Sequence, residues 1–151
     1  MNVLLTWPEV LLAAHVGVAR RVDSLRNNRK PAYGCTIEGA WDRDIEGACG
    51  EIAVAKALGI YWSGMGGDLK VDVGPYQVRQ TGRANGCLLL HHKDDDDKQF
   101  ILVTGHPPRM RIAGWIFAGD GKRKQWRKDP TGEGRPAWFV PQSALKDFAT
   151  L

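Results

Sequence analysis

The apolar residues of this 151-residue chain change their spacing once, near Gly59. Before it they recur every three or four residues, the period of a helix buried on one face; after it they alternate or fall in short runs, the period of strands. A chain with two helices first and several strands after them buries both most simply as a sheet with helices packed on its faces. The expected fold class is therefore α/β, a central mixed sheet flanked by helices. Its length fits one domain, because single cores organise about 100–200 residues, and no repeat or linker divides it.

Thr6-Trp7-Pro8-Glu9 reads as a helix start: Thr6 can cap, proline is tolerated in the first turn, and Glu9 sits near the positive end of the dipole. The helix is predicted to run to about Asn27 and to bury Leu11, Leu12, Val16, Ala19, Val22 and Leu25, with Arg20, Arg21 and Arg26 off that stripe. Asn27–Tyr33, with Pro31, reads as a loop. A second helix is expected from Asp42–Asp44 to Gly59, a residue suited to a left-handed cap. Gly47 and Gly50 inside it imply close approach of another backbone, since each costs about 1 kcal/mol relative to alanine.

Leu69–Val73 and Tyr76–Gln80 alternate on either side of Gly74-Pro75, which predicts two antiparallel strands around a tight turn with Gln77 and Arg79 on one face. Cys87–Leu90, Phe100–Val103, Ile112–Phe117 and Ala137–Val140 read as further strands, and a brief helix is expected from Gln142 or Ser143. Lys93–Lys98, with four adjacent aspartates, reads as a solvated hairpin loop. His91 and His92 read as partly buried, and Trp115, Trp138 and the other tryptophans mainly as core. Trp126 divides evenly between core and nucleic-acid contact.

Composition narrows the function classes. No run of about 18 apolar residues occurs and Met1–Val22 carries charges without a cleavage signal, so neither a membrane span nor a signal peptide is expected, and a cytoplasmic location follows. Three cysteines, Cys35, Cys49 and Cys87, without a CxxC pair exclude a disulfide framework or zinc knuckle and read as buried small hydrophobes. The net charge of +4 is uneven: Arg109–Arg135 holds eight basic residues against three acidic, a local excess of +5. Such a segment favours a polyanionic partner. Lys122, Arg123, Lys124, Arg127 and Lys128 surround Trp126, a mixture suited to phosphate contact and base stacking, and Arg83 is a further candidate.

Phosphodiester hydrolysis needs a nucleophilic water and neutralised charge on the scissile phosphate, which a divalent ion held by carboxylates supplies. Magnesium accepts two acidic residues and a backbone carbonyl and keeps several waters. Glu51 on the second helix, Asp72 at a strand end, and Gln77 and Arg79 beyond the turn form a candidate set. A helix reading Gly50-Glu51-Ile52-Ala53, then Val71-Asp72-Val73-Gly74-Pro75-Tyr76-Gln77-Val78-Arg79, resembles the PD-(D/E)XK nuclease superfamily. With Trp41…Glu46-Gly47-Ala48-Cys49-Gly50-Glu51 and Gly114-Trp115-Ile116 the likeness extends over most of the chain to small nuclease-like proteins of bacteriophages.

The resemblance implies a restriction-endonuclease-like core and a metal-dependent DNA nuclease, with RNA an open alternative and a homodimer compatible with it. Glu51, Asp72 and the Val78 carbonyl would hold Mg2+, with Mn2+ as substitute, and Gln77 and Arg79 would take the acidic and lysine positions of the motif. Gln77 removes a negative charge from the site. Arg79 can grip phosphate bidentately but stays protonated, so it cannot act as a base. These two departures define the alternative expectation, a catalytically silent nuclease fold that binds nucleic acid or a host protein.

Overall fold

A computed structural model describes residues 1–29, 39–64, 71–130, 132 and 134–151. Strand β1 (Asn2–Leu4) leads into helix α1 (Trp7–Arg26), followed by α2 (Ala40–Leu58), β2 (Gln77–Thr81), β3 (Leu88–Leu90), β4 (Gln99–His106), β5 (Arg109–Phe117), the single turn α3 (Ala118–Gly121), β6 (Arg127–Lys128) and β7 (Ala137–Val140). Three 3-10 turns, Lys124–Trp126, Gln142–Ala144 and Phe148–Thr150, complete the order. The predicted C-terminal helix is the second and third of these turns. Among the described residues no helix is long and apolar enough to cross a membrane.

The α1 start is a full capping box: Glu9 N–H donates to Thr6 Oγ1 at 3.4 Å, and Thr6 N–H donates to the Glu9 carboxylate at 2.6 Å. Helix α2 ends on Gly59, whose φ of 66° is the left-handed conformation only glycine adopts without strain. The helices cross where a Cβ on Gly17 would lie 2.5 Å from the Ile45 backbone. Gly50 is also a close-packing position, with a Cβ there only 3.0 Å from the Gln80 side chain, whereas Gly47 faces open space. The backbone approach expected at Gly47 and Gly50 therefore occurs at Gly17.

Four strands form a mixed sheet in the order β1-β5-β4-β2: β2 runs parallel to β4, and the other neighbours are antiparallel. Three form a smaller antiparallel sheet, β3-β7-β6. Strand β4 is central in the larger sheet and Phe100–Thr104 is buried without interruption, because both of its faces are covered. Ile101 and Val103 point into a core shared with α1 and α2; Phe100 and Leu102 point into a second core with Leu88, Leu90 and Val140 of the smaller sheet. The expected α/β class with a mixed sheet and helices is thus present.

Several local expectations need correction. The segment before Gly74-Pro75 is not a paired strand at Val71 and Asp72: only a single bridge, Val73 with Tyr76, closes the turn, and positions 69–70 lie outside the described residues. Lys93–Lys98 is no hairpin loop, since β3 and β4 belong to different sheets; it carries the chain across from one to the other. Leu11, Leu12, Val22 and Leu25 are exposed, while Ala13, Gly17 and Arg21 form the buried face of α1. Cys49 is buried and its thiol is pushed up to about 11 by that burial and by Glu46, but Cys87 is exposed, and Cys35 is outside the described residues. Trp115 is core and Trp138 half-buried, whereas Trp7 and Trp41 are exposed.

Candidate active site

Glu51 is placed by α2 on the face that packs against α1 and the larger sheet, and it is 5% exposed. A buried carboxylate needs partners, and three donors surround it. Arg20 of α1 grips it with both terminal nitrogens, at 2.6 and 2.8 Å, and Trp62 donates its indole N–H to Oε2 at 2.9 Å. Arg20 also donates to the Gly64 carbonyl at 3.1 Å, so the guanidinium ties α1, α2 and the segment after α2 together. Burial works against the Arg20 charge, but Glu51 outweighs it, with Asp72 and Asp44 adding, so its proton affinity is raised. Next to it Arg21 Nε lies 2.8 Å from Asp44 Oδ2, an ion pair too poorly aligned for a hydrogen bond.

Asp72 lies on the loop that enters β2, where its carboxylate accepts the Val78 N–H at 2.8 Å. Its proton affinity is raised, first by burial and then by the negative charge of Glu51; the Val78 hydrogen bond and the charges of Arg79 and Arg20 oppose that rise without cancelling it. Glu51 and Asp72, 21 positions apart in sequence, therefore share one electrostatic neighbourhood. Like charges so placed favour any cation that enters between them.

Gln77 and Arg79 do share a face, as expected from their spacing, but it is the reverse face of the sheet. Val78, in register with Ile101, points to the α-helical core, which puts Gln77 and Arg79 on the side of their register partners Phe100 and Leu102. Arg79 stacks over the Phe100 ring at 4.8 Å and holds Asp94 through Nη2 at 3.1 and 3.2 Å. The four expected site residues thus do not line one pocket. Asp72 stands between the halves, feeling Glu51 and Arg20 from one side and Arg79 from the other.

Asp94 is more than a solvated loop carboxylate. Besides Arg79 it accepts the His91 N–H at 2.8 Å, and its own carbonyl accepts a short hydrogen bond from Lys122 Nζ. Lys122 also pairs with Asp96 at 2.7 Å and is largely buried, so it braces the loop and is not a free phosphate contact. His91 follows β3, and burial first, then Arg79 and Lys93, hold its imidazole below the ordinary value against the pull of Asp94; His92 is exposed. Arg123, Lys124, Arg127 and Lys128 are exposed, as is Arg83, and Trp126 is half-buried against the second core. Arg123 and Arg127 lie over the Trp126 and Trp138 rings at 5.4 and 5.9 Å. Beside them Arg127, Lys128, Asp129, Gly134 and Pro136 line a surface pocket of about 470 Å³.

Arg20, Trp62 and Asp94 are the site residues that sequence reasoning missed. Gly17 and Ala13, four apart, mark a close-packed face of α1, and Arg20 and Arg21 lie three and four positions beyond Gly17 on that face. That spacing is a readable signal. Nothing in the run of four aspartates distinguishes Asp94.

The residues present fit a divalent ion modestly. Among the described residues no group of three or more His, Cys, Asp or Glu side chains is placed to hold a metal, but magnesium needs only one or two carboxylates when waters complete its shell. Glu51 and Asp72 would be those carboxylates and the Val78 carbonyl, which accepts from Arg79 Nη1 at 3.4 Å, the third oxygen, provided the Arg20 guanidinium yields part of its hold on Glu51. Comparisons with protein-family models, curated proteins and solved structures find nothing that matches this chain.

Proposed function

We propose that the chain is a metal-dependent nuclease, built on a variant of the restriction-endonuclease-like core, acting on DNA inside the cell. The observation that carries the reading is the convergence of Glu51 and Asp72, two carboxylates from separate elements, one of which has its proton affinity raised by the other. Arg20 already balances the charge of Glu51, and the burial of Asp72 within reach of that carboxylate leaves a second negative charge that a cation would stabilise. Mg2+, or Mn2+ in its place, would neutralise charge on a bound phosphate and acidify a water there. Asp72 and Glu51 would hold it, and Arg20, released in part from Glu51, would grip phosphate oxygens; Arg79, on the reverse face, would act through its charge on Asp72. The exposed Arg123, Lys124, Arg127 and Lys128 would follow the nucleic-acid backbone. Magnesium-dependent cleavage of single- or double-stranded DNA that disappears in Asp72→Ala is the expected result. No cleavage with either metal, or cleavage that survives Asp72→Ala, overturns it.

A second reading rests on a different observation: both Glu51 oxygens are already occupied by Arg20 and Trp62, while Gln77 and Arg79 lie on the reverse face. In that reading the chain binds nucleic acid or a host protein without chemistry. DNA affinity would then need no metal, survive Asp72→Ala, and fall with salt. Charge reversal at Lys124 and Lys128 would weaken it.

A further inference from the structure

Helix α1 carries two apolar stripes, and the fold covers one of them. Ala13 and Gly17 face α2. On the opposite side Trp7, Leu11, Val18, Val22 and Leu25 are exposed, Trp7 by 72% and Leu25 by 54%. With 3.6 residues per turn these five, together with exposed His15, fall within an arc of about 80°. From Leu11 through His15, Val18 and Val22 to Leu25 the steps are four, three, four and three, the spacing of a seam that packs on another helix. The stripe continues past the helix start into an apolar groove of about 540 Å³ lined by Leu4, Trp7, Pro8 and Pro108.

We propose that a second copy of this chain docks on that face, α1 against α1 in antiparallel orientation. Leu4, Trp7, Leu11, Val18, Val22 and Leu25 together expose on the order of 650 Å², and His15 with the polar rim would bring the contact to the roughly 800 Å² that each partner contributes to a standard-size interface. Monomers keep their largest apolar patch to about 300–600 Å². A two-fold axis crossing the helix between Val16 and Gly17 sets Leu11 against the partner's Val22 and His15 against the partner's Val18. It also sets Leu25 against the partner's Pro8, next to Trp7 and the apolar groove. The contact is self-complementary, as a closed dimer requires. Parallel pairing would instead set His15 on its own copy in the middle of the seam.

Sedimentation equilibrium of the full chain tests this. The expected result is a species of twice the 16.7 kDa chain mass at micromolar concentration. Val18→Glu should weaken dimerisation by more than about a hundredfold, since each dimer would bury two unpaired carboxylates; an unchanged far-ultraviolet circular dichroism spectrum checks that it still folds. Leu11→Glu and Val22→Lys should each be monomeric alone and associate when mixed, because the antiparallel register sets position 11 against position 22. A monomer at every concentration, or a Val18→Glu dimer as tight as the original, overturns the proposal. Co-sedimentation of a monomeric chain with phospholipid vesicles would also overturn it and assign the stripe to a lipid surface.

Discussion

The two faces of the larger sheet carry charged groups of the same kinds, held by different means. On the α-helical face Glu51 is enclosed by Arg20 and Trp62, with side-chain exposures of 26% for Arg20 and 7% for Glu51. On the other face Arg79 and Asp94 form a pair of similar exposure, 27% and 8%, but at longer distances and with the guanidinium resting on Phe100. The first pair joins helix to helix; the second joins a strand to a loop. A strand's alternation explains the division, because residues 77 and 79 must leave the face that residue 78 occupies. The comparison shows that a short motif read along one strand delivers alternate residues to one surface and their neighbours to the other, while Asp72, on the loop before the strand, feels Glu51 on one side and Arg79 on the other.

Removing one partner of each pair tests that difference. Glu51→Ala would strand a mostly buried guanidinium and an indole N–H, and the expected loss is about 3–5 kcal/mol of folding stability, measured by urea denaturation. Arg79→Ala leaves Asp94 Oδ2 with the His91 N–H and opens the carboxylate to water in the space that the guanidinium vacates, so a loss of about 1–2 kcal/mol is expected. Equal losses would erase the distinction between the faces. Trp62→Phe keeps an aromatic ring but shortens it and removes one donor from Glu51, which should cost about 1–3 kcal/mol; no change in the same titration would mean that neither the indole nor its N–H supports the fold.

The finest test is the pH dependence of Asp72. Its proton affinity is raised in the folded chain, so the folded state binds this proton more tightly than the unfolded state does. The sign is therefore the reverse of an ordinary paired aspartate: its ionisation lowers stability as pH rises from the unfolded value of about 4 through the higher folded value. Asp72→Asn retains an acceptor for Val78 N–H and removes the titration. The difference in melting temperature between variant and original should grow in favour of the variant across that window and stay constant above it. A difference independent of pH would show that neither burial nor the charge of Glu51 raises the proton affinity of Asp72.

Much of this arrangement was legible in the sequence. The α1 boundaries, the Thr6 cap, the Gly59 stop and the strand at Ala137–Val140 follow from local rules that act within a turn or two. Of the four residues the motif singles out, the fold brings Glu51 within the electrostatic reach of Asp72 and sends Gln77 and Arg79 to the reverse face. The buried face of α1 was not legible, because Leu11, Val18, Val22 and Leu25 are more apolar than Ala13, Gly17 and Arg21, and periodicity ranks stripes by hydrophobicity alone. What selected the small-residue stripe is proximity to Ile45, a contact over 28 positions that no window contains. Strand β1 was missed because three residues before a cap carry no period. Asp94 reads as a solvated charge and Lys122 as a phosphate contact, since their value lies in joining two segments that lie far apart in the chain.

Gly17 gives the molecule a fixed datum. With the Ile45 backbone where any side chain would begin, α1 has a single depth and lengthwise position at which it can sit on α2. The next turn of helix then delivers Arg20 to Glu51 and Arg21 to Asp44 without adjustment. A hydrogen atom in place of a methyl group thereby works as a locating notch, and the geometry of the acidic centre is indexed from it.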